Sequence, residues 1–237
     1  MLYLINFARG EHYKRVQEKQ NQFLRHYFAD IFEYDDNFLK QSGYYDRNKE
    51  VIDNSETGWG YCGWKAEIML HSMSKIKVDD LLLYSDVADE IYNPAFYDWL
   101  ILRTNQMGGK FFNANYYNHA QWTKRDCFIL MNCDTDEFWS HRQLEAGTIG
   151  LLKQRDTESL LKEWGRWCEY DKVIDKSPNT LGENLSGFVD HRTDQSILTN
   201  LVINRGWETE YMENIRAYIR YNAYDKDVFP NKHNYSK

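Results

Sequence analysis

The chain is poor in the features that mark several protein classes. Only three of its 237 residues are proline while 42% are hydrophobic, a balance that excludes a disordered, low-complexity chain. No stretch approaches the roughly 18 consecutive apolar residues that a membrane-spanning helix needs. The opening Met1–Phe7 is apolar but short for a signal sequence, and no small-residue cleavage site follows it, so it reads as a first buried strand. The four cysteines (Cys62, Cys127, Cys133 and Cys168) lie far apart with no CxxC pair. That spacing argues against a zinc site or a disulfide framework and for reduced thiols in a cytoplasmic protein. Lys and Arg form no cluster and the net charge is −7, so no basic face for nucleic acid is expected, nor a membrane surface as main partner. Aromatic residues are abundant, with 18 Tyr, 12 Phe and 8 Trp. Such a set serves either a Tyr-rich core or a groove that stacks on flat ligands.

Hydrophobic periodicity gives an alternation of strands and helices. Residues 11–29 read as a helix with Val16, Phe23, Leu24 and Tyr27 inward, and 31–34 as a short strand. A loop rich in Asn, Asp and Gly then runs to about residue 57. Residues 64–75 form a helical pattern with Ile68, Met69 and Met73 inward. Residues 81–84 are an unbroken apolar run, the mark of a strand covered on both faces. Helices are expected at 93–106, 157–170 and 194–204, the last ended by Gly206, and a strand at 147–152. Residues 127–131 fit either type. The alternation predicts an α/β layer structure in a single domain spanning 1–237.

Four segments carry candidate chemistry, each with a plainer reading beside it. Asp86, with Asp89 and Glu90, follows the buried strand, where α/β sheets bind ligands; carboxylates there either hold a divalent cation or cap the next helix in solvent. The segment Gly58-Trp59-Gly60-Tyr61-Cys62-Gly63-Trp64-Lys65 suits a tight turn that presents rings and places Lys65 at a helix start, where it could meet a phosphate. The same residues could simply anchor a loop. His191-Arg192-Thr193-Asp194-Gln195 opens a helix, so Asp194 is either a first-turn carboxylate or a ligand for sugar hydroxyls beside Gln195. In the tail, Lys232 could bind phosphate and His233 a metal, or the terminus simply frays.

In order, GWGYCGWK, KIKVDDLLLYSDVADEI, WTKRDCFIL, QLEAGTIGLLK and HRTDQSIL resemble microbial and viral capsule or surface-glycan glycosyltransferases of the GT-A type. More distantly, the order D-x-D, N-A-G, D-Q is similar to that of the retaining galactosyl- and glucosyltransferases related to glycogenin. The resemblance covers roughly residues 58–198. It implies a Rossmann-like nucleotide-diphospho-sugar transferase with a mixed, mostly parallel central sheet flanked by helices. It also implies transfer from a nucleoside-diphosphate sugar, most readily a UDP-sugar, to a glycan hydroxyl with retention, using Mn²⁺ or Mg²⁺. Residue by residue, Asn6, Phe7, Ala8 and Arg9 would lie by base and ribose, and Trp64 and Lys65 by the diphosphate or sugar. Asp86, Val87 and Ala88 would form the metal-motif segment, with Asp86 and a late His233 as metal ligands. Asp126, Glu145, Ala146 and Gly147 would face the donor sugar. Asp194 and Gln195 would flank the anomeric carbon, with His191 and Lys232 as further binding residues. Two positions depart from the pattern: Ala88 replaces the second Asp of D-x-D, and Glu145 stands where the distant relatives carry Asn. A glycoside hydrolase working with Asp86 and Asp194, or a non-catalytic glycan- or nucleotide-binding module, are the alternatives from other classes.

Overall fold

A computed structural model describes residues 1–87, 89–91, 95–215 and 219–221. The chain runs β1 (Leu2–Phe7), α1 (Gly10–Leu24), β2 (Asp30–Tyr34), then the short helices α2 (Asp36–Gln41), α3 (Tyr44–Arg47) and α4 (Lys49–Asn54). A single kinked turn, α5 (Gly58–Tyr61), leads into α6 (Trp64–Lys75), β3 (Leu81–Ser85) and β4 (Asp89–Ile91). There follow α7 (Ala95–Gln106), β5 (Lys110–Asn118), α8 (Arg125–Leu130), α9 (Asp136–Trp139), β6 (Arg142–Leu152), α10 (Arg155–Cys168), α11 (Asp171–Ile174), α12 (Thr193–Asn204), β7 (Glu210–Tyr211), α13 (Met212–Ile215) and β8 (Ile219–Tyr221).

Six strands form one sheet in the order β2-β1-β3-β6-β5-β7, and β4 pairs with β8 in a separate ribbon. β1 is parallel to both β2 and β3, and β7 is parallel to β5; β6 runs antiparallel to β3 and β5. The mixed, mostly parallel sheet is thus the one the sequence called for. Alternate residues feed two cores. Ile5, Phe7, Leu82 and Tyr84 pack with α6, α10 and α12 on one face, and Leu4, Leu83 and Phe111 with Leu24 and α7 on the other. Burial on both faces explains the unbroken apolar run of β3.

Several sequence expectations are corrected. The first helix ends at Leu24, and its buried face is Gln17, Asn21 and Leu24; Phe23 is 58% exposed and Tyr27 is also exposed. Hydrophobic periodicity points to the wrong face because the strand beneath carries a buried Asn6. Asn6 donates to Asn21 Oδ1 at 2.6 Å and accepts from Gln17 Nε2 at 2.9 Å, so the helix turns amides inward to satisfy it. The stretch expected to loop as far as residue 57 contains α2, α3 and α4; Asp35 starts the first of these by accepting from Phe38 N at 3.0 Å. Of residues 127–131, which fit either type, 127–130 lie in helix α8 and Met131 caps it, and β5 escapes the periodicity because three Asn interrupt its apolar residues.

Candidate active site

The carboxyl ends of β1 and β3 point the same way, and antiparallel β6 enters the sheet at that edge with Glu145, Ala146 and Gly147. The first turns of α6 and α12 meet the same edge, bringing Lys65 and Asp194 to it. This is where open α/β sheets bind ligands. A bulge shapes the floor. Pairing of β5 with β6 jumps from Phe112–Ile149 to Asn113–Glu145, so Ala146 leaves the ladder. Its backbone is then taken up by side chains: Ala146 N donates to Gln195 Oε1 at 3.3 Å, and its carbonyl accepts from Lys65 Nζ at 3.0 Å. Asp86 N closes the edge on Gly147 O at 2.8 Å.

Lys65 is the centre of the charge arrangement. Its ammonium is 5% exposed as a residue, lies 3.4 Å from Asp194 Oδ2 and 3.9 Å from Asp86 Oδ1, and sits over the Tyr84 ring. Burial alone would lower its pKa, but the charges of Asp194 and then Asp86 raise it, so the lysine stays protonated. Burial, reinforced by the charge of Asp86, raises the pKa of Asp194 against the opposing pull of Lys65. Burial also raises Glu145, although Asn115 Nδ2 donates to its carboxylate at 3.2 Å. Tyr84 donates to Asp86 Oδ1 at 2.5 Å. Burial, then the charge of Asp86, raises the pKa of Tyr13 on α1. One deeply buried cation therefore faces three carboxylates, two of which stay partly open to solvent (Asp86 side chain 37%, Glu145 intermediate).

The two turns that deliver Lys65 and Asp194 are strained. Trp59, Gly60, Tyr61 and Cys62 have φ of 48°, 83°, 55° and 62°, and Thr193 has φ 49°. For each non-glycine residue this conformation costs about 1–2 kcal/mol, and such outliers persist only where the surroundings enforce them. Nearby rings are layered: Phe7 stacks on Trp64 at 3.9 Å between centroids, Tyr45 stacks on Trp59, and the Arg9 guanidinium lies 5.0 Å over Trp59. Beside them an open cavity of about 570 Å³ is lined by Arg9, Gly10, Glu11, Lys14, Asp36 and Asn37.

Of the residues singled out from the sequence, the structure gathers Lys65, Asp86, Glu145, Ala146, Gly147, Asp194 and Gln195, with Phe7 and Trp64 packed alongside and Arg9 at the cavity. Val87 and Ala8 are buried, and Ala8 N donates to Tyr34 O at 3.0 Å. Asn6 is instead occupied beneath α1. Asp126 accepts from Thr180 N, Thr180 Oγ1 and Leu181 N at 2.8, 3.0 and 2.9 Å, which ties down the 179–181 segment. His191 gives Nε2–H to Val173 O at 2.8 Å and accepts from Lys124 N at 3.3 Å; burial lowers its pKa to about 3. Both are held by structural partners. Ala88, Lys232 and His233 lie outside the described residues. Sequence reading misses Tyr84 and Asn115, and it includes Trp59 and Thr193 only as members of their candidate segments. A core tyrosine two residues before an acidic strand end was the one visible hint.

A divalent cation was expected on Asp86 and His233. Among the described residues no group of three His, Cys, Asp or Glu side chains is arranged to hold a metal ion, and Asp86 is already engaged by Tyr84 and faced by Lys65. The described side chains do not make up a cation-binding set, so no chemical step is routed through a metal.

No family model and no curated protein matches the chain. Solved structures do. They include a glycosyltransferase involved in the glycosylation of the major capsid of PBCV-1 (10% identity, TM-score 0.44, 89% of this chain and 80% of that one). Mouse xyloside xylosyltransferase 1 matches at 11% identity and TM-score 0.47, over 89% and 85%. The galactosyltransferase LgtC, solved with donor and acceptor sugar analogs, matches at 13% and 0.45, over 88% and 72%.

Proposed function

We propose that the chain is a glycosyltransferase that takes its sugar from a nucleoside diphosphate, a UDP-sugar in the first instance, and passes it to a glycan hydroxyl. The observation that carries this reading is the cluster of Asp86, Glu145 and Asp194 around buried Lys65, at the carboxyl ends of β1 and β3 and on the same edge as the Arg9 and Lys14 cavity. Carboxylates in a half-closed site suit sugar hydroxyls, which donate hydrogen bonds to them. Arg9 and Lys14, with the Trp59 and Tyr45 rings, suit a base and a phosphorylated ribose. The resemblance places Lys65 by the diphosphate or the sugar; because the residue is buried, the sugar is the side proposed here. Its ammonium fixes Asp194 and the Ala146 carbonyl, so its part is to set the floor on which the sugar rests.

Gln195 uses its carbonyl on Ala146 N, which leaves its amide hydrogens to face the sugar. Gln195 is a poor nucleophile and Asp194 is assigned to the sugar hydroxyls, so front-face attack with retention is the mechanism proposed: the departing diphosphate takes the acceptor proton while the site positions and screens. The test is thermal unfolding with UDP, GDP, CDP, dTDP and ADP, each with EDTA or with Mn²⁺. At a hundredfold excess over the dissociation constant a bound diphosphate adds about 2.7 kcal/mol of apparent stability. The expected result is a rise with one diphosphate, present in EDTA. Indifference to all five removes the reading and favours a hydrolase built on the same carboxylates, assayed on aryl glycosides.

A further inference from the structure

Tyr61 and Thr193 lie 132 positions apart, yet each sits in a left-handed conformation and each leads directly into one half of the ion pair. The Trp59–Cys62 turn hands on to Lys65, whose N–H bonds Cys62 O at 3.1 Å, and Thr193 immediately precedes Asp194. The first turn is enforced from outside. Gly60 N donates to Ser55 Oγ at 2.7 Å, and a Cβ on Gly60 would stand 2.8 Å from Ile52 Cγ1. A Cβ on Gly63 would meet Ile174 and Cys168 at 2.8 and 3.0 Å. On the other side Trp164 Nε1 holds Asp194 O at 3.0 Å. The two turns are joined by Thr193 Oγ1, which donates to Tyr61 O at 3.0 Å in a buried setting.

We infer that Thr193 is a positioning residue: its hydroxyl clamps the two strained turns together and so sets Lys65 against Asp194. If the site needed only the backbone turn, glycine would supply it without strain. The presence of a β-branched residue at φ 49° points to the hydroxyl as the part that matters. That hydroxyl has one proton and two acceptors within reach, Tyr61 O at 3.0 Å and Asp194 Oδ1 at 3.3 Å. While it serves Tyr61, it leaves the Asp194 oxygen with capacity for a substrate hydroxyl. This use of the pair rests on the transferase reading; the clamp itself does not.

The experiment compares Thr193→Ser, Thr193→Ala and Thr193→Gly by thermal midpoint, by acylation of Lys65 with an N-hydroxysuccinimide ester read by peptide mass spectrometry, and by kcat and KM. Serine should match the parent in all three. Glycine, relieved of strain, should unfold at a higher temperature than alanine. Both should nevertheless acylate Lys65 faster and lose about ten- to a hundredfold in kcat, with KM within about twofold of the parent. A stability effect alone would order the variants by their midpoints and leave the glycine variant active. Parental acylation of Lys65 in the alanine and glycine variants overturns the clamp. A parent that neither binds nor turns over any nucleotide sugar overturns the transferase reading instead, and the acylation rates still decide the clamp.

Discussion

Two buried polar regions meet along α12, and they are built in opposite ways. On its flank, His119 Nε2 pairs with Asn200 Oδ1 and Nδ1 with Thr123 Oγ1, both at 2.9 Å. His191 is pinned between Val173 O and Lys124 N, Lys124 pairs with Asp175, and Asp126 holds three donors. Each of these groups is satisfied within the fold. At the N-terminus of α12 the Lys65 cluster is left incomplete. Asp86 and Glu145 keep partial exposure, and Asp194 Oδ2 has the ammonium at 3.4 Å but no aligned hydrogen bond. Burial of polar residues is common to both regions, so burial does not mark function. Spare bonding capacity in a half-closed setting is what sets the proposed site apart from the flank.

The largest test of this contrast removes the cation. Lys65→Met leaves the buried Asp194 carboxylate without the ammonium beside it, and breaking such a pair from one side costs about 3–5 kcal/mol. Urea unfolding should show that loss, and Lys65→Met/Asp194→Leu should regain most of it, because a neutral pair needs no partner. A single variant that unfolds like the parent would mean that the cluster is not organised by Lys65.

The flank region has a different signature, in pH. Burial lowers both His119 and His191 from 6.5 to about 3. A folded pKa below the unfolded one means that the unfolded chain binds the proton first. Stability therefore falls as pH drops from about 6.5 towards 3, by about 1.4 kcal/mol per pH unit for each histidine. Asp194 and Glu145, raised by burial, act in the opposite sense: their contribution is present in acid and is lost as pH rises through their folded pKa values. Chemical unfolding between about pH 7 and pH 5 should follow the histidines, and His119→Gln should remove about half of the slope. A flat profile would show that the flank histidines are not held neutral.

A crossed pair of variants sharpens the comparison further. Asp126→Asn weakens the bonds to Thr180 and Leu181 and should cost about 1–3 kcal/mol, with turnover per folded molecule unchanged. Asp194→Asn should do the converse: transfer falls by about a hundredfold or more while nucleotide binding stays near the parent. If Asp126→Asn lost turnover at an unchanged unfolding midpoint, the flank would belong to the site.

This contrast also explains what could be read from the sequence. β3 was legible because burial on both faces gives an unbroken apolar run, and α6, α10 and α12 because their inward stripes are apolar. The ordered motifs at Lys65, Asp86, Glu145–Gly147 and Asp194–Gln195 were legible as a set, and the fold brings them together at one edge. Asp126 and His191 sit inside the same motifs and carry the same chemistry, so residue type could not separate them from Asp194. What separates them is who holds their lone pairs, and the partners (Thr180, Leu181, Val173) are distant in the chain or lie on its backbone. The bulge at Ala146 and the left-handed Thr193 are backbone properties, and neither residue type announces them.

The smallest expected effect concerns α1, where the same logic of closed polar groups misled the reading of its face. Periodicity places Phe23 inward, yet it is 58% exposed, while Asn21 is buried and bonded to Asn6 and, at 2.9 Å, to Glu33 Oε1. Phe23→Ser should shift stability by no more than about 0.5 kcal/mol, as surface changes do. Asn21→Ala should cost about 1–3 kcal/mol, because it leaves the buried Asn6 amide without its acceptor. Neither should alter turnover, since the Asn6 network, like the α12 flank, satisfies itself. Urea midpoints in the reverse order would put the apolar face of α1 back inside and make Asn6 available to a ligand.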